Sequence, residues 1–296
     1  MKRKIVKQGN GGFTLTLPVK WVREQELKAG DEVDIIEDQK NLMLCPASIT
    51  KVPKSITINL ELGEYNQYRS FIGGLYRSSY DQIKVEFTNT KVLPILQQVV
   101  DSLYGFEVLD IGKNSCTIHG IYREEKPEIK LHIQKMINII IAMQMMILED
   151  AQQGKIGSEP QLLQFRNNLL KQRDLIARVI VQQKLLDNTH FPYYLLSFNL
   201  WNIARNYYDL YLALEKKNMP QKQVKLFIKI NQFVYLFLHQ LHTFDHVAID
   251  KQYRKLAVEI RQQLMGPGKN SLVTAYYLNI LMITQSSISP ALQLRF

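Results

Sequence analysis

The start of this chain contains several basic side chains and one threonine hydroxyl that could bind an anionic polymer. Residues 1–28 carry seven Lys or Arg and only two Asp or Glu. Lys and Arg neutralise phosphates, and a Thr hydroxyl can add a hydrogen bond. This local charge favours a polyanionic partner, although an ordinary solvated surface has the same composition. The candidate contacts are Arg3, Lys4, Lys7, Thr14, Lys20 and Arg23.

A small set of strands and one short helix must position these side chains. Gly9 to Gly12 permits the positive φ of a tight turn. Thr alternates with large apolar residues in Phe13 to Leu17, which is typical of a half-buried strand, and Pro18 suits the start of a helix. The pattern predicts strands at 2–7, 13–17, 32–37 and 42–45, with a helix beginning at Pro18.

The same stretch resembles the AbrB/MazE/SpoVT family, and most closely its archaeal form. Eleven spaced positions carry the resemblance, with the family's lysine displaced by one to Lys20; they are Gly11-Gly12, Thr14, Leu17-Pro18, Trp21-Val22, Leu27, Gly30-Asp31 and Val33. The resemblance covers residues 1–50 and implies a DNA-binding, swapped-hairpin β-barrel in which two chains interleave. It therefore implies a homodimer, because strands this short cannot bury both faces within one copy.

Charge and periodicity divide the chain of 296 residues and net charge +10 into three segments. The net charge is +3 for residues 1–54, −3 for 55–125 and +10 for 126–296. These segments correspond to predicted domains at 1–50, 55–125 (small α+β) and 127–296 (antiparallel helix bundle). Helices are predicted at 127–152, 159–187, 191–217, 220–246 (with a possible extension to 264) and 270–287.

The helical segment resembles the PhoU family, whose archaeal members often carry an AbrB-like domain in front. Leu200 and Ile203-Ala204 match the family motif, but Asn199, Trp201 and Arg205 stand where it has acidic residues. In the family, carboxylates four residues apart collect metal, whereas an arginine cannot ligate. Asp174 also lacks a partner four residues earlier. We therefore predict a bundle without that metal cluster, and no cofactor.

Three histidines and an aspartate are spaced so that their side chains could bind zinc: His239, His242, His246 and Asp250. On one continuous helix they would fall within an arc of about 80°. The apolar arc of the same helix points the opposite way. A solvated histidine face is the favoured interpretation, and an interfacial metal site is the alternative.

Motifs of catalysis are missing from the sequence, so we expect no enzyme activity: it has no Gly-x-Ser-x-Gly, His-Glu-x-x-His, Walker or Gly-x-Gly-x-x-Gly pattern. Tyr207, Tyr208 and Tyr211, with Trp201, fit a helix core better than a base-stacking platform.

Cys45 and Cys116 are expected to be buried, reduced thiols. No apolar run follows the basic start and none reaches 18 residues, which favours a soluble cytoplasmic protein without a signal peptide.

Together, the two resemblances imply a DNA-binding transcription regulator that acts as a dimer in the control of phosphate uptake. The alternative is an adaptor whose AbrB-like domain only dimerises. Its bundle would then dock on a phosphate transporter or on a signalling protein such as a sensor kinase.

Overall fold

The described residues of the computed structural model divide into two compact units, Met1–Pro53 and Lys54–Phe296. They form eight β-strands and ten α-helices, so the protein is of the α+β class with a helical C-terminal region. The described residues are 2–9, 11–38, 41–46, 53–121, 128–154, 157–182, 190–214, 221–241, 243, 245–264 and 271–295.

The unit Met1–Pro53 consists of two antiparallel hairpins and one short helix between them. These elements are β1 (Ile5–Gln8), β2 (Gly12–Leu15), α1 (Val19–Glu24), β3 (Val33–Asp38) and β4 (Asn41–Pro46). The element order agrees with the sequence prediction, but β1 begins at Ile5, so Arg3 and Lys4 precede the strand. The described strands form two separate two-stranded sheets, and within one chain they do not close into a barrel.

An α+β segment opens the unit Lys54–Phe296. It contains β5 (Ser55–Leu60), α2 (Tyr65–Arg77), β6 (Gln82–Phe87), α3 (Val92–Asp101), β7 (Phe106–Leu109) and β8 (Ser115–Gly120). The sheet order is β5-β6-β8-β7, with only the β5–β6 pair parallel. Alternate residues of β6, Ile83 and Val85, are fully buried against Ile72 of α2 and Leu96 of α3, as a strand with one covered face requires. The sequence pattern predicts strands at 55–62, 82–87, 106–110 and 116–122 and helices at 64–76 and 92–103, and each of these elements is present.

Seven helices of the described residues follow in this unit. They are α4 (Ile129–Gln153), α5 (Glu159–Gln182), α6 (Phe191–Leu214), α7 (Gln221–His239), α8 (His246–Leu264), α9 (Ser271–Ser286) and α10 (Ile288–Gln293). The predicted helical residues 183–187 and 215–217 lie outside the described residues.

A continuous helix over 220–246 is the main error of the sequence prediction. Asp245 Oδ1 accepts hydrogen bonds from the backbone N–H groups of Val247 at 2.9 Å and Ala248 at 3.2 Å. This carboxylate satisfies donors at a new helix start. The chain therefore ends α7 at His239 and begins α8 at His246.

The bundle core is rich in buried aromatic side chains. Tyr207, Tyr208 and Tyr211 are all buried, which confirms their prediction as core residues. The Tyr207 hydroxyl accepts from Gln144 Nε2 at 2.7 Å and donates to Asn231 Oδ1 at 2.9 Å. Its polar atom is therefore satisfied inside the bundle.

Helix α4 is the one described helix long and apolar enough to cross a membrane, with a mean hydropathy of 1.5 in its most apolar window. Within that window 44% of the residues are buried inside the bundle. Core helices of water-soluble proteins have the same composition, so the fold is compatible with a soluble protein.

Candidate nucleic-acid interface and arginine cluster

All six side chains predicted to contact nucleic acid are exposed in the structure. Lys20 forms a long i,i+4 ion pair with Glu24, at 3.8 Å, in which both side chains are largely exposed. Such a pair contributes little to stability and competes weakly with a phosphate. Lys20 and Arg23 are three residues apart on α1, so they project from neighbouring positions of the helix.

Thr14 is engaged within its own hairpin. Its hydroxyl donates to the carbonyl oxygen of Val6 across β1 and β2, at 3.3 Å. While that bond holds, the hydroxyl has no proton left for a phosphate oxygen, which only accepts. Thr14 therefore supports the hairpin in this conformation, and a contact to DNA would require its hydroxyl to turn.

The register of the first hairpin places basic and apolar side chains on one face. Ile5 pairs with Leu15 and Lys7 pairs with Phe13. Because side chains alternate along a strand, these four share one face, and Val6 and Thr14 occupy the other. Lys7 thus stands at the turn end of an apolar surface.

Large apolar side chains of this unit lie exposed to solvent. Ile5 and Phe13 are each 66% exposed, Ile35 is 61% exposed and Leu42 is 67% exposed. No side chain described within Met1–Pro53 is buried, and both hydrophobic core clusters of the described residues lie in Lys54–Phe296. Exposed apolar surface on paired strands marks an association site.

A second candidate site, the arginine cluster, lies between α2 and α5. We define it as Arg69, Arg77, Arg173, Asp174 and Trp201. Asp174 is fully buried, and its two carboxylate oxygens accept from three guanidinium groups. Arg69 Nη2 lies 2.5 Å from Oδ2 of Asp174, Arg77 Nη1 lies 3.0 Å from its Oδ1, and Arg173 Nη2 lies 2.6 Å from Oδ1.

The electrostatics of the cluster favour an ionised Asp174. Burial alone raises the pKa of this carboxyl, but the charges and hydrogen bonds of Arg173 and Arg69 outweigh burial and hold the pKa below its ordinary value. Asp174 is therefore charged at neutral pH and connects the α+β segment to the bundle.

Trp201 extends the cluster toward α6. The guanidinium carbon of Arg173 lies 4.4 Å from the centre of the Trp201 ring, and that of Arg205 lies 5.9 Å from it. Both arginines are within cation–π range. Arg205 also pairs with Asp209 at 3.5 Å. Trp201 and Arg205, two of the three positions where the PhoU resemblance implies acidic residues, are here part of a cationic and aromatic cluster.

Arg178 forms a separate link one turn further along α5. Its guanidinium donates to the carbonyl oxygens of Tyr76 at 2.9 Å and Tyr80 at 2.7 Å, and to Asp81 Oδ1 at 2.6 Å. The Tyr76 carbonyl belongs to the last turn of α2, where unpaired acceptors favour a cation. The charges of Arg178 and Asp81 cancel, whereas the arginine cluster has three guanidinium groups and only one carboxylate.

Arg69 and Arg77 were missed by sequence reasoning, although a signal for them exists. They stand eight residues apart on α2 with Gly73 midway, so all three share one helix face. A glycine inside a helical pattern often marks a close approach. A methyl group at Gly73 would lie 2.3 Å from Arg69 Nη1, which explains why the helix has no side chain there.

The proposed histidine constellation does not lie on one helix. His239 ends α7 and His246 begins α8, both exposed, while His242 lies outside the described residues. Asp250 pairs with Arg254 at 2.8 Å. Among the described residues no group of three His, Cys, Asp or Glu side chains could hold a metal ion.

Cys116 is a buried free thiol, as predicted, and burial raises its pKa to about 11. The side chain of Cys45 lies outside the described residues.

Neither the family models, nor the curated proteins, nor the solved structures compared with this chain include a match.

Proposed function

We propose that this protein is a DNA-binding transcription regulator that acts as a cytoplasmic homodimer through residues 1–50. The observation that carries the proposal is the absence of any buried side chain in the described part of Met1–Pro53, combined with its exposed cations. A second copy would cover the apolar hairpin faces and bring two sets of basic side chains together. The resemblance to the PhoU family suggests phosphate uptake as the regulated process.

The DNA contacts are expected to be made mainly with phosphates. In the described structure Arg3, Lys4, Lys7 and Arg23 are exposed, and no ion pair of the described residues includes them. They are free to displace counterions from a duplex, so affinity should fall steeply with salt. Base-specific contacts would come from α1 or from the hairpin at a groove.

Sequencing of DNA recovered with the purified protein would supply a duplex for the test. Replacing Arg3, Lys4 and Lys7 with alanine should weaken binding to that duplex. It should also reduce the slope of log K against log salt by about 0.9 for each phosphate that the variant no longer neutralises. Fluorescence anisotropy over a range of salt concentrations measures both quantities.

A matched control removes the same charge elsewhere. Lys251, Lys255 and Arg261 are exposed on α8, and their triple alanine variant should retain the affinity and salt slope of the native protein. Equal losses in the two triple variants would show a general charge effect and reject the surface proposed here.

A protein-interaction adaptor is the second candidate function, and one feature of α6 favours it. Phe191, Tyr194 and Phe198, at i, i+3 and i+7, all leave much of their surface exposed. Aromatic side chains at this spacing anchor helices in partner grooves. An adaptor of a phosphate transporter or signalling protein would show no salt-dependent affinity for DNA, which separates the two functions.

A further inference from the structure

The arginine cluster has an unbalanced charge. Asp174 is the only carboxylate that forms an ion pair with Arg69, Arg77 or Arg173 among the described residues. The exposed fractions of the three arginine side chains are 8%, 31% and 13% respectively. Three guanidinium groups and one carboxylate leave a charge of +2 in a largely buried space.

Such an excess is costly to keep away from water. Buried charges are stable only when they are paired and hydrogen-bonded. An arginine cannot relieve the cost by losing its proton, because guanidinium groups stay protonated in proteins. A mobile anion supplied from solution is the remaining way to neutralise the cluster.

Two donors in the cluster also lack an acceptor. Arg69 Nε and Trp201 Nε1 are buried, and neither has a hydrogen-bond partner among the described residues. A buried N–H group without a partner costs about 1–3 kcal/mol. Arg173 connects Arg69 and Trp201, because it bonds to Asp174, the carboxylate that Arg69 also binds, and lies over the Trp201 ring. A ligand that only accepts hydrogen bonds offers the kind of acceptor that these donors lack.

We infer that the arginine cluster is a binding site for one tetrahedral oxyanion, of the class of inorganic phosphate, sulfate or a phosphate monoester. Parallel N–H donors of a planar guanidinium match the oxygens of such an anion. Arg77 is the most exposed of the three arginines and gives the anion its access from solvent. The neighbouring Arg178–Asp81 and Arg205–Asp209 pairs are already neutral, so they add nothing to the excess charge of the cluster.

The bound anion would strengthen the connection between α2 and α5. Arg69 and Arg77 lie on α2, while Arg173 and Asp174 lie on α5. An anion shared between arginines of the two helices adds to the single bridge that Asp174 makes. This inference concerns only the unit Lys54–Phe296 and does not depend on DNA binding.

Trp201 provides the readout for a test in the full-length protein. The chain has two tryptophans, Trp21 and Trp201, so the Trp21→Phe variant leaves fluorescence from Trp201 alone. Inorganic phosphate is titrated at constant ionic strength, with chloride as the replaced anion. We expect a saturable change in emission that fits one site for each chain.

The decisive variant is Arg77→Gln, since this partly exposed side chain can be changed without emptying the core. In the Trp21→Phe background it should weaken phosphate binding at least tenfold. Arg261→Gln, an exposed arginine on α8, is the matched control and should leave the affinity unchanged. Circular dichroism confirms that both variants are folded, and calorimetric titration repeats the measurement without a fluorescent reporter.

Sulfate and glycerol phosphate form the other two arms of the experiment. Binding of all three anions supports a general oxyanion site, while preference for the monoester or for inorganic phosphate identifies the ligand within the class. A fluorescence change that stays linear with phosphate, no heat of binding, or equal affinity in Arg77→Gln and Arg261→Gln would overturn the inference.

Discussion

Gly73 of helix α2 lies beside two side chains of the arginine cluster, Arg69 and Arg77. A methyl group here would stand 2.3 Å from Arg69 Nη1 and 3.3 Å from Arg77 Nη1. Arg69 has little room to move, since its side chain is buried and bonded to Asp174. The missing side chain of a single glycine thus allows two guanidinium groups to reach one carboxylate.

Replacing Gly73 with alanine should therefore destabilise the protein despite alanine's higher helix propensity. We expect a loss of about 1–3 kcal/mol, the scale of a hydrogen bond to a charged group, in urea unfolding. Gly74→Ala is the matched control. Its methyl group would meet only Arg77 Nη2 at 4.0 Å, so the gain of about 0.5–1 kcal/mol typical of glycine to alanine in a helix should appear. Equal effects of the two substitutions would contradict the proposed close approach.

Asp174 should make stability depend on pH at the acidic end. Because its pKa in the folded protein lies below the ordinary value of 3.8, its contribution is present above pH 4 and is lost as pH falls through the folded pKa. Asp174→Asn should cost about 3 kcal/mol at pH 7, since removal of one partner leaves buried charges uncompensated.

The free energies of unfolding of the native protein and of Asp174→Asn should converge as the pH is lowered below 4. Denaturant unfolding at a series of pH values measures the difference. Asp250→Asn removes a carboxylate from an exposed ion pair with Arg254 and should change the curve little. A constant gap between native and Asp174→Asn protein would show that Asp174 does not titrate in this range.

At the scale of elements, the break between α7 and α8 separates side chains that one long helix would have aligned. His239 and His246 stand at two helix ends, and their spacing no longer follows the 100° rotation of a single helix. The helix capping by Asp245 was visible in the sequence as an acidic residue before an apolar-periodic segment.

The helix bundle is expected to fold without bound metal. Its described core consists of apolar side chains, mainly Ile, Leu, Tyr and Phe with several Met, Val and Ala, and arginine and tryptophan occupy positions where the PhoU resemblance implies carboxylates. A chelator should therefore leave the melting temperature unchanged. Elemental analysis should show no stoichiometric iron or zinc.

Any metal that does bind should require His242 and His246. It should leave on acidification, because a protonated imidazole cannot ligate a metal. Stoichiometric iron or zinc that survives alanine substitution of both histidines would show that the ligands lie elsewhere.

At the scale of the whole molecule, the two units differ in how they obtain a core. The unit Lys54–Phe296 buries its own aromatic and aliphatic side chains in two clusters. The unit Met1–Pro53 has no such cluster among its described residues. Hydrophobic burial is the main driving force of folding, so the smaller unit is expected to gain its core by association, and residues 1–50 should be dimeric even alone.

Leu15→Glu should dissociate the dimer proposed for the full-length protein. Leu15 shares the apolar hairpin face with Ile5 and Phe13, and a buried unpaired carboxylate at a dimer interface is strongly unfavourable. Sedimentation measures the change. Leu62→Glu, a similarly exposed leucine in the other unit, should leave the protein dimeric. A native protein that sediments as a monomer at all concentrations would contradict the swapped-hairpin proposal.

Local sequence determined most of the elements of this protein, because strand alternation, helix periodicity, glycine and proline act over a few residues. It predicted each strand of the α+β segment, the basic start of the chain and the buried tyrosines of α6. It did not predict that Asp174 would bind Arg69 and Arg77, which lie 105 and 97 residues away in the chain. Such ion pairs leave no local pattern in the sequence. The packing of α2 on α5 decides which cations come within hydrogen-bonding distance of the buried carboxylate.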